Sequence, residues 1–151
     1  MPDSAPLERF LAARADVVLR SAELGESRFA LYEVEELAEA QLGYAVGADD
    51  EDLTGGETGQ WRPLWLVVGE EELGQVALLV DLGDPRLPVL VAVEDDGGWA
   101  PVEVAETYAG FVALLADLQE SRAQGADRAA LLVGAGARTP TGALRFWESW
   151  L

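Results

Sequence analysis

The sequence predicts a single α+β domain, because strand-like and helical patterns occupy separate stretches of the chain. Three short apolar runs bounded by Gly, Pro and Asp lie in the middle of the 151 residues, at Leu64–Val68, Val76–Val80 and Val89–Val93. Such runs favour strands, and apolar residues at helical spacing precede and follow them. The connections are too short for crossover helices, so neighbouring strands should pair antiparallel. We therefore expect one domain over residues 1–151, with an antiparallel-rich sheet flanked by helices.

The N-terminal part is expected to contain two helices separated by a short strand. Asp3 and Ser4 are residue types that favour a helix N-cap, and apolar residues follow them at helical spacing. Acidic residues early in the second helical stretch suit the positive end of a helix dipole. The predicted elements are a helix that ends at about residues 19–22, a strand over 29–32 and a helix over 35–42 stopped by Gly43.

The stretch from Gly47 to Gln60 is expected to be a solvated loop. It places four carboxylates in series at Asp49–Asp52, and three glycines follow them. Like charges in series repel one another, and glycines do not favour a strand. The two ends of this loop are nonetheless free to lie close together in space.

The C-terminal third is dominated by helical spacing. Trp99–Val102 is expected to be a short strand or an extended segment. Apolar residues from Tyr108 to Leu118 then predict an amphipathic helix over about Val104–Gln124, which Gly125 ends. The remaining predicted elements are a short helix or edge strand at Ala129–Val133, a flexible turn at Gly134–Gly136, and a last helix that Trp147 and Trp150 fix to the body.

Composition excludes several kinds of site. The chain contains neither Cys nor His, so it has no Ser–His–Asp or Cys–His pair and no zinc site of the usual structural type. With 28 acidic and 10 basic residues, its formal charge is -18. Such a charge attracts basic partners and repels nucleic acid and anionic membranes. We therefore expect a basic protein as partner, the alternative being that the acidity only maintains solubility.

Two loop motifs begin like ligand sites but lack the rest of the site. The segment Asp50–Gly55 starts like an EF-hand calcium loop, yet its twelfth position is Trp61, where a bidentate Glu is required. Gly134 and Gly136 follow an apolar run, but too few residues remain for a dinucleotide-binding βαβ unit. We therefore expect no cofactor and no metal.

The expected compartment is the cytoplasm. Absence of Cys is typical of a reducing compartment, and the N-terminus Met1–Ser4 lacks the basic and apolar regions of a secretory signal. No apolar stretch approaches the roughly 20 residues that cross a membrane. A membrane partner is therefore not expected.

Short motifs along the chain resemble the SUKH superfamily, a group named partly after a yeast cell-wall-synthesis regulator. The matching pieces are the strand-then-helix segment Leu31–Leu37, the hairpin Leu66–Gly69 with Gly74 and Val80-Asp81, the strand start Leu87–Val89, Trp99, and the closing helix motif Ala105–Phe111. The resemblance covers about residues 29–118 and leaves a helical C-terminal extension at about 126–151. Thr107 and Tyr108 stand where Ser and Phe are usual in the family.

Membership of the SUKH superfamily would imply an α+β domain with a mixed sheet and helices packed around it. It would also imply a protein-binding role without established catalysis, widely as immunity proteins that neutralise toxins. An acidic member is suited to a basic, nuclease-type toxin, because such toxins carry a basic cleft for phosphate. The alternatives are a small carboxylate-based hydrolase, using acidic residues near strand ends, and a regulatory adaptor whose charge serves only solubility.

Candidate partner-binding residues are acidic clusters and aromatic residues at the edges of elements. Trp61 and Trp99 are equally suited to the core and to anchoring a partner, whereas Trp65, inside a strand, is expected to be buried. Asp81 ends a strand and is expected to cap a turn. The complete candidate set is Asp49, Asp50, Glu51, Asp52, Trp61, Glu70, Glu71, Glu72, Asp95, Asp96 and Trp99.

Overall fold

The computed structural model describes residues 4–151 as one α+β arrangement, which confirms the predicted fold class. The helices are α1 (Ser4–Ala15), α2 (Leu37–Ala40), α3 (Tyr108–Ala123), α4 (Arg128–Arg138) and α5 (Leu144–Trp150). The strands are β1 (Ser21–Leu24), β2 (Ser27–Leu31), β3 (Trp65–Glu71), β4 (Val76–Asp81), β5 (Val89–Val91), β6 (Glu94–Asp95), β7 (Gly98–Trp99) and β8 (Val102–Ala105). The predicted N-cap residue Asp3 lies outside the described residues.

The main sheet has six strands in the order β1-β2-β3-β4-β5-β8. Every neighbouring pair is antiparallel, as predicted for the three central strands, and β6 and β7 form a separate small hairpin. In residues 4–151, parallel pairing is limited to isolated bridges between Leu42 and Val46 and between Thr54 and Trp61. Where the resemblance implied a mixed sheet, the six-stranded sheet is antiparallel throughout.

Side chains of the central strands alternate between two apolar clusters, one on each face of the sheet. Leu66, Leu78 and Val80 belong to the main cluster, whereas Val67 and Leu79 belong to the second. This alternation is the two-residue period of a strand. Both faces are therefore covered, as the continuously apolar runs predict.

The main cluster holds α1, α3, α4 and α5 against the sheet, largely through aromatic residues. The rings of Phe10 and Tyr108 are 4.9 Å apart, and Trp150 lies 5.0 Å from both Phe29 and Trp147. Trp147 is 0% exposed and Trp150 is 5% exposed. The two tryptophans therefore fix α5 to the body, as predicted.

Helix α3 begins later than the sequence predicts. Val104 and Ala105, assigned to the helix by spacing, are strand residues of β8, and Ala105 pairs with Val89. The helix starts after Thr107, whose side-chain hydroxyl accepts a hydrogen bond of 2.9 Å from the Gly110 amide. Thr107 thus performs the N-cap role that Ser also performs.

The end of α3 agrees with the sequence, but the next segment does not. Gly125 follows the helix with a φ of 94°, a conformation that glycine adopts without strain. The segment Ala129–Val133 is helical, which decides between the two alternatives. Gly134 and Gly136 lie inside the same helix α4, so the expected flexible turn is absent there because the amphipathic pattern continues through them.

The first half of the chain contains less helix than the sequence predicts. Helix α1 ends at Ala15, and residues 21–24 form an edge strand instead of continuing it. Arg14 holds the turn between them, since its guanidinium donates to the carbonyls of Val17 and Tyr32. The helix predicted over 35–42 is a 3-10 turn followed by the single turn α2, and Gly43 ends it with a φ of 88°.

Candidate partner-binding surface

The second face of the sheet is covered by two segments without long helices, residues 32–61 and the β6–β7 hairpin, residues 94–99. We call them together the acidic cover. They pack Tyr44, Trp61 and Trp99 against Val67 and Leu79 of the central strands. The cover therefore closes a second, smaller apolar cluster opposite the helices.

One buried side chain attaches the acidic cover to the sheet. Gln41 is 2% exposed, and its amide nitrogen donates to the carbonyls of Leu37 and Val67 at 2.8 and 2.9 Å. Its amide oxygen accepts from the Val67 N–H at 2.9 Å. The β3–β4 register shifts between Val67 and Gly69, and Gln41 bonds both polar backbone groups of Val67 beside this irregularity. Buried backbone groups require such partners.

A contact between two glycine turns joins the two parts of the acidic cover. The Trp99 amide donates to the Gly59 carbonyl at 2.8 Å. Gly59 and Gly98 have φ values of 87° and 105°, and a Cβ atom on either would collide with the backbone of the other turn. Glycine is thus required at both positions. The end of the loop Gly47–Gln60 and the β6–β7 hairpin, which are distant in sequence, lie side by side for this reason.

Aromatic side chains of the acidic cover form a cluster on its inner side, against the sheet. Trp61 is its centre, with ring centroids 5.1 Å from Tyr44, 5.3 Å from Trp99 and 5.5 Å from Trp65. Trp61 is 1% exposed, and its indole N–H donates to the Trp65 carbonyl at 3.1 Å. The expectation of a partner contact at Trp61 is therefore corrected, because packing leaves no surface to contact. Trp99 and Trp65 are partly buried, so Trp65 is more accessible than predicted.

Negative charge is concentrated in the acidic cover. Residues 32–61 contain nine acidic and no basic residues, and residues 94–99 contain three acidic and no basic residues. These 36 residues therefore carry a formal charge of -12, whereas the other 115 carry 16 acidic residues and all ten arginines, or -6. Two thirds of the net charge thus lies in about a quarter of the chain.

The loop Asp49–Asp52 presents its four carboxylates to solvent. Asp49 and Asp50 have positive φ values of 55° and 58°, a conformation that Asp and Asn tolerate better than most residues. Asp52 accepts hydrogen bonds from the hydroxyl and the amide of Thr54 at 2.7 and 2.9 Å. These bonds stabilise the charged form and lower the pKa of Asp52. All four residues are therefore available to a partner.

The three consecutive glutamates Glu70–Glu72 have three different environments. Glu71 is 2% exposed, and its carboxylate accepts from the amides of Leu73 and Gly74 at 3.0 and 2.8 Å. Glu72 is exposed and lies 3.5 Å from Arg28. Of the three, only Glu70 lies on the face of the sheet that the acidic cover closes. Strand β3 pairs it with Ala77, which belongs to the second apolar cluster. The expected partner contact at Glu71 is corrected, because this carboxylate caps its own turn.

The hairpin residues Asp95, Asp96 and Trp99 lie close to the acidic loop through the glycine contact. Asp95 and Asp96 are exposed, and Asp95 accepts from the Gly97 amide at 2.8 Å within the turn. Trp99 is partly buried, with its ring 5.5 Å from that of Tyr44. The structure therefore places these three candidates beside Gly59, at the C-terminal end of the loop that begins with Asp49–Asp52, whereas Glu72 lies in the turn after β3 and Trp61 and Glu71 are buried.

Two tyrosines of this surface were not among the sequence candidates. Tyr32 and Tyr44 are partly buried beside Glu70. Burial first, and then the Glu70 charge, raise the pKa of Tyr32 to about 12 and also raise that of Tyr44. No local pattern indicated these residues, because their proximity to Glu70 depends on how the cover crosses the sheet.

Asp81 acts as a turn residue, as predicted. Its carboxylate accepts from the Gly83 amide at 2.9 Å. A neighbouring depression of about 520 Å³ is lined by Arg62, Pro63, Leu64, Trp65 and Asp81. This depression contains one carboxylate, whereas the hydrolase alternative requires two facing carboxylates.

Within residues 4–151, no group of three or more acidic side chains is arranged to hold a metal ion. None of the helices in that range combines the length and the apolar character needed to cross a bilayer. Comparisons of the chain with family models, with curated proteins and with solved structures find no match. Membership of the SUKH superfamily therefore stays a prediction from the sequence motifs.

Proposed function

We propose that this protein is a non-catalytic, acidic protein-binding domain that docks its acidic cover onto a basic protein. The observation that carries this proposal is the separation of charge, with a formal -12 in residues 32–61 and 94–99 and no arginine among them. A predominantly negative surface attracts a partner of the opposite sign and accelerates its association. The arginines at its border, Arg14, Arg20 and Arg62, bond to Glu33 and to the Gly56 carbonyl. Solubility alone does not require that the arginines be confined to the rest of the chain.

Aromatic residues at the same surface supply the second element of a docking site. Trp99 and Tyr44 are partly buried beside the exposed Asp95 and Asp96. Trp and Tyr are enriched among the residues that dominate the binding energy of protein interfaces. Charge would therefore orient the partner, and Trp99 would contribute to holding it.

More specifically, we propose that the protein is an immunity protein that neutralises a basic, nuclease-type toxin. The SUKH-like motifs support this form, since that family widely includes immunity proteins. Physical chemistry supports it too, because a nuclease needs a cationic cleft for phosphate and a dense array of carboxylates complements such a cleft. The toxin's activity would then be blocked by occupation of the cleft.

Affinity capture from the native source tests the proposal, with three forms of the protein as bait. The first is the natural chain, and the second is D49N/D50N/E51Q/D52N, which removes four charges from the acidic cover. Asn suits the positive φ of Asp49 and Asp50, so this variant should keep its fold. The third form, E8Q/D16N/E26Q/E148Q, removes four exposed charges outside the cover.

We expect a basic protein that the natural chain and the third form retain at low salt and that the second form loses. With that protein purified, the second form should associate more slowly and with a weaker salt dependence, whereas Trp99→Ala should accelerate dissociation. For a toxin, the natural chain should also inhibit its activity. Unchanged association kinetics for the second form at low salt would show that the charge serves solubility alone.

A further inference from the structure

We propose that a depression in the acidic cover receives the side chain of a lysine or an arginine of the basic partner. This inference rests on the proposed function and names the place where the cover holds its partner. The depression measures about 480 Å³ and is lined by α2 and by the loop that follows it. We call it the Leu42 depression, and its lining residues are Ala38, Glu39, Gln41, Leu42, Val46 and Asp50.

The Leu42 depression contains apolar surface that the fold leaves open to water. Leu42 is 52% exposed, Ala38 is exposed as well, and Val46 is partly buried. A single exposed leucine is common on protein surfaces, but this one lies in a concave site beside two other apolar side chains. An aliphatic group that enters the depression removes this surface from water, which stabilises the complex.

Backbone hydrogen bonds hold the two sides of the depression together. The Val46 amide donates to the Gln41 carbonyl at 3.2 Å, and the Gly43 amide donates to the Val46 carbonyl at 2.8 Å. The Gly47 amide donates to the Glu51 carbonyl at 2.7 Å and closes the next turn of the loop. The side chain of Gln41 is in turn bonded to the sheet. The depression is therefore formed before the partner arrives, and little ordering opposes binding.

Two carboxylates at the depression determine the charge of the group that fits. Glu39 and Asp50 both line it and are exposed, and among residues 4–151 no arginine lies within 4.0 Å of either carboxylate. Exposed carboxylates attract a cation only weakly one at a time. A lysine or arginine adds apolar contact to this attraction, because its aliphatic stem covers apolar surface while its charged head stays in water beside the carboxylates.

Other occupants match the Leu42 depression less well. An acidic side chain is repelled by Glu39 and Asp50, and a purely apolar side chain leaves both carboxylates without a counter-ion in the complex. A calcium ion requires six to eight oxygen ligands, whereas the lining offers two carboxylates. The combination of apolar surface and two carboxylates therefore favours a long basic side chain.

An NMR titration of the natural chain with small probes tests the depression without the partner. Butylammonium and butylguanidinium imitate the lysine and arginine side chains, methylammonium has the charge without the stem, and butanol has the stem without the charge. The two long cations should shift the amide signals of Ala38, Leu42 and Val46. They should bind about tenfold more tightly than methylammonium, as burial of two methylene groups predicts, and more tightly than butanol. The tighter of the two identifies lysine or arginine as the occupant.

Leu42→Ser tests the apolar contact. This variant should weaken butylammonium binding about fivefold, because it removes the exposed apolar side chain of the depression. Leu73→Ser is the matched control, since Leu73 is 64% exposed and lies in the turn after β3, outside the depression. Binding should stay within about twofold of the natural value in the control.

The paired variant Glu39→Gln with Asp50→Asn tests the charge. It should abolish the preference for butylammonium over butanol, because both carboxylates of the depression are gone. Glu35→Gln with Glu57→Gln removes two exposed charges of the acidic cover outside the depression and should keep most of that preference.

Equal binding of butylammonium and butanol to the natural chain, or equal effects of Leu42→Ser and Leu73→Ser, would overturn the inference. The natural partner separates it from the proposed function. A partner held through the depression should dissociate faster from Leu42→Ser than from the natural chain. If it dissociates from both at one rate, yet associates more slowly with D49N/D50N/E51Q/D52N, the inference is wrong and the proposed function stands.

Discussion

The two faces of one sheet are covered in different ways. Residues 108–151, which contain α3, α4 and α5, carry four acidic residues and four arginines, whereas residues 32–61 carry nine acidic residues and no arginine. The helical side is held by large apolar side chains such as Phe111 and Trp147, both at most 1% exposed. The acidic cover is held by a smaller aromatic cluster, one glutamine and a contact between glycine turns.

This difference shows how a segment with high charge density is kept in place. Segment 32–61 contains only one α-turn and has little apolar surface to bury beyond Trp61 and its neighbours. Its carboxylates repel one another, so its position depends on directional hydrogen bonds and on backbone contacts. The helical side, with balanced charge, depends mainly on apolar burial.

The largest expected effect comes from breaking the attachment of the acidic cover. Gln41→Leu leaves the N–H and carbonyl of Val67 buried without partners, and each such group costs about 1–3 kcal/mol. We expect the free energy of unfolding to fall by about 2–4 kcal/mol in urea denaturation. Gln124→Leu, at an exposed position at the end of α3, should change it by less than about 0.5 kcal/mol.

If Gln41→Leu were as stable as the natural chain, the acidic cover would depend on its aromatic cluster alone. Fluorescence helps to locate the change, because Trp61, Trp65 and Trp99 lie under the cover while Trp147 and Trp150 lie on the helical side. Without denaturant, the changes that Gln41→Leu causes in the tryptophan fluorescence spectrum should come from Trp61, Trp65 and Trp99. The comparison between the two faces would be wrong if the second group changed instead.

A smaller effect, of opposite sign, is expected on the helical side. Among residues 4–151 the buried Tyr108 hydroxyl has no hydrogen-bond partner, while its ring packs on Phe10. Tyr108→Phe should therefore stabilise the protein by about 1 kcal/mol at neutral pH. A thermal melt with loss of stability in this variant would show that this hydroxyl contributes to the folded state through a polar interaction.

The same variant should change the alkaline stability. Burial raises the pKa of Tyr108 from 10.0 to about 12, so the folded state holds this proton more tightly than the unfolded state. Its contribution is complete below pH 10 and is lost as the pH rises towards 12. Denaturation across this range should show a weaker pH dependence for Tyr108→Phe than for the natural chain. An identical dependence would mean that this phenol titrates normally.

The smallest effect concerns self-repulsion within the acidic cover. Added salt should raise the melting temperature of the natural chain, because screening over about 8 Å weakens repulsion between neighbouring carboxylates. D49N/D50N/E51Q/D52N should melt higher at low salt, on the order of 1–2 °C, and should respond less to salt. E8Q/D16N/E26Q/E148Q should keep more of the salt response. An equal response in both variants would show that repulsion is spread over the whole surface.

Local patterns predicted the central strands well, because continuous apolar runs bounded by Gly, Pro and Asp suit a sheet covered on both faces. The same patterns did not predict the two edge strands of the sheet, β1 and β8. Val104 and Ala105 fit a helical stripe and a strand equally well, and pairing of β8 with β5 decided between them. Residues 21–24 are too short a run to give a strong strand signal, and they form β1 through pairing with β2 and burial of Ala22 and Leu24 in the main cluster.

The sequence by itself determined the absence of Cys and His from this chain, its net charge, and the loops that carry much of that charge. These properties are local or additive, so they do not depend on the fold. Only the tertiary structure decided which carboxylates act together. Glu70, Glu71 and Glu72 are identical neighbours, yet one faces the acidic cover, one caps a turn and one pairs with Arg28. Strand register and the turn after β3 set these environments, and both depend on contacts between residues distant in sequence.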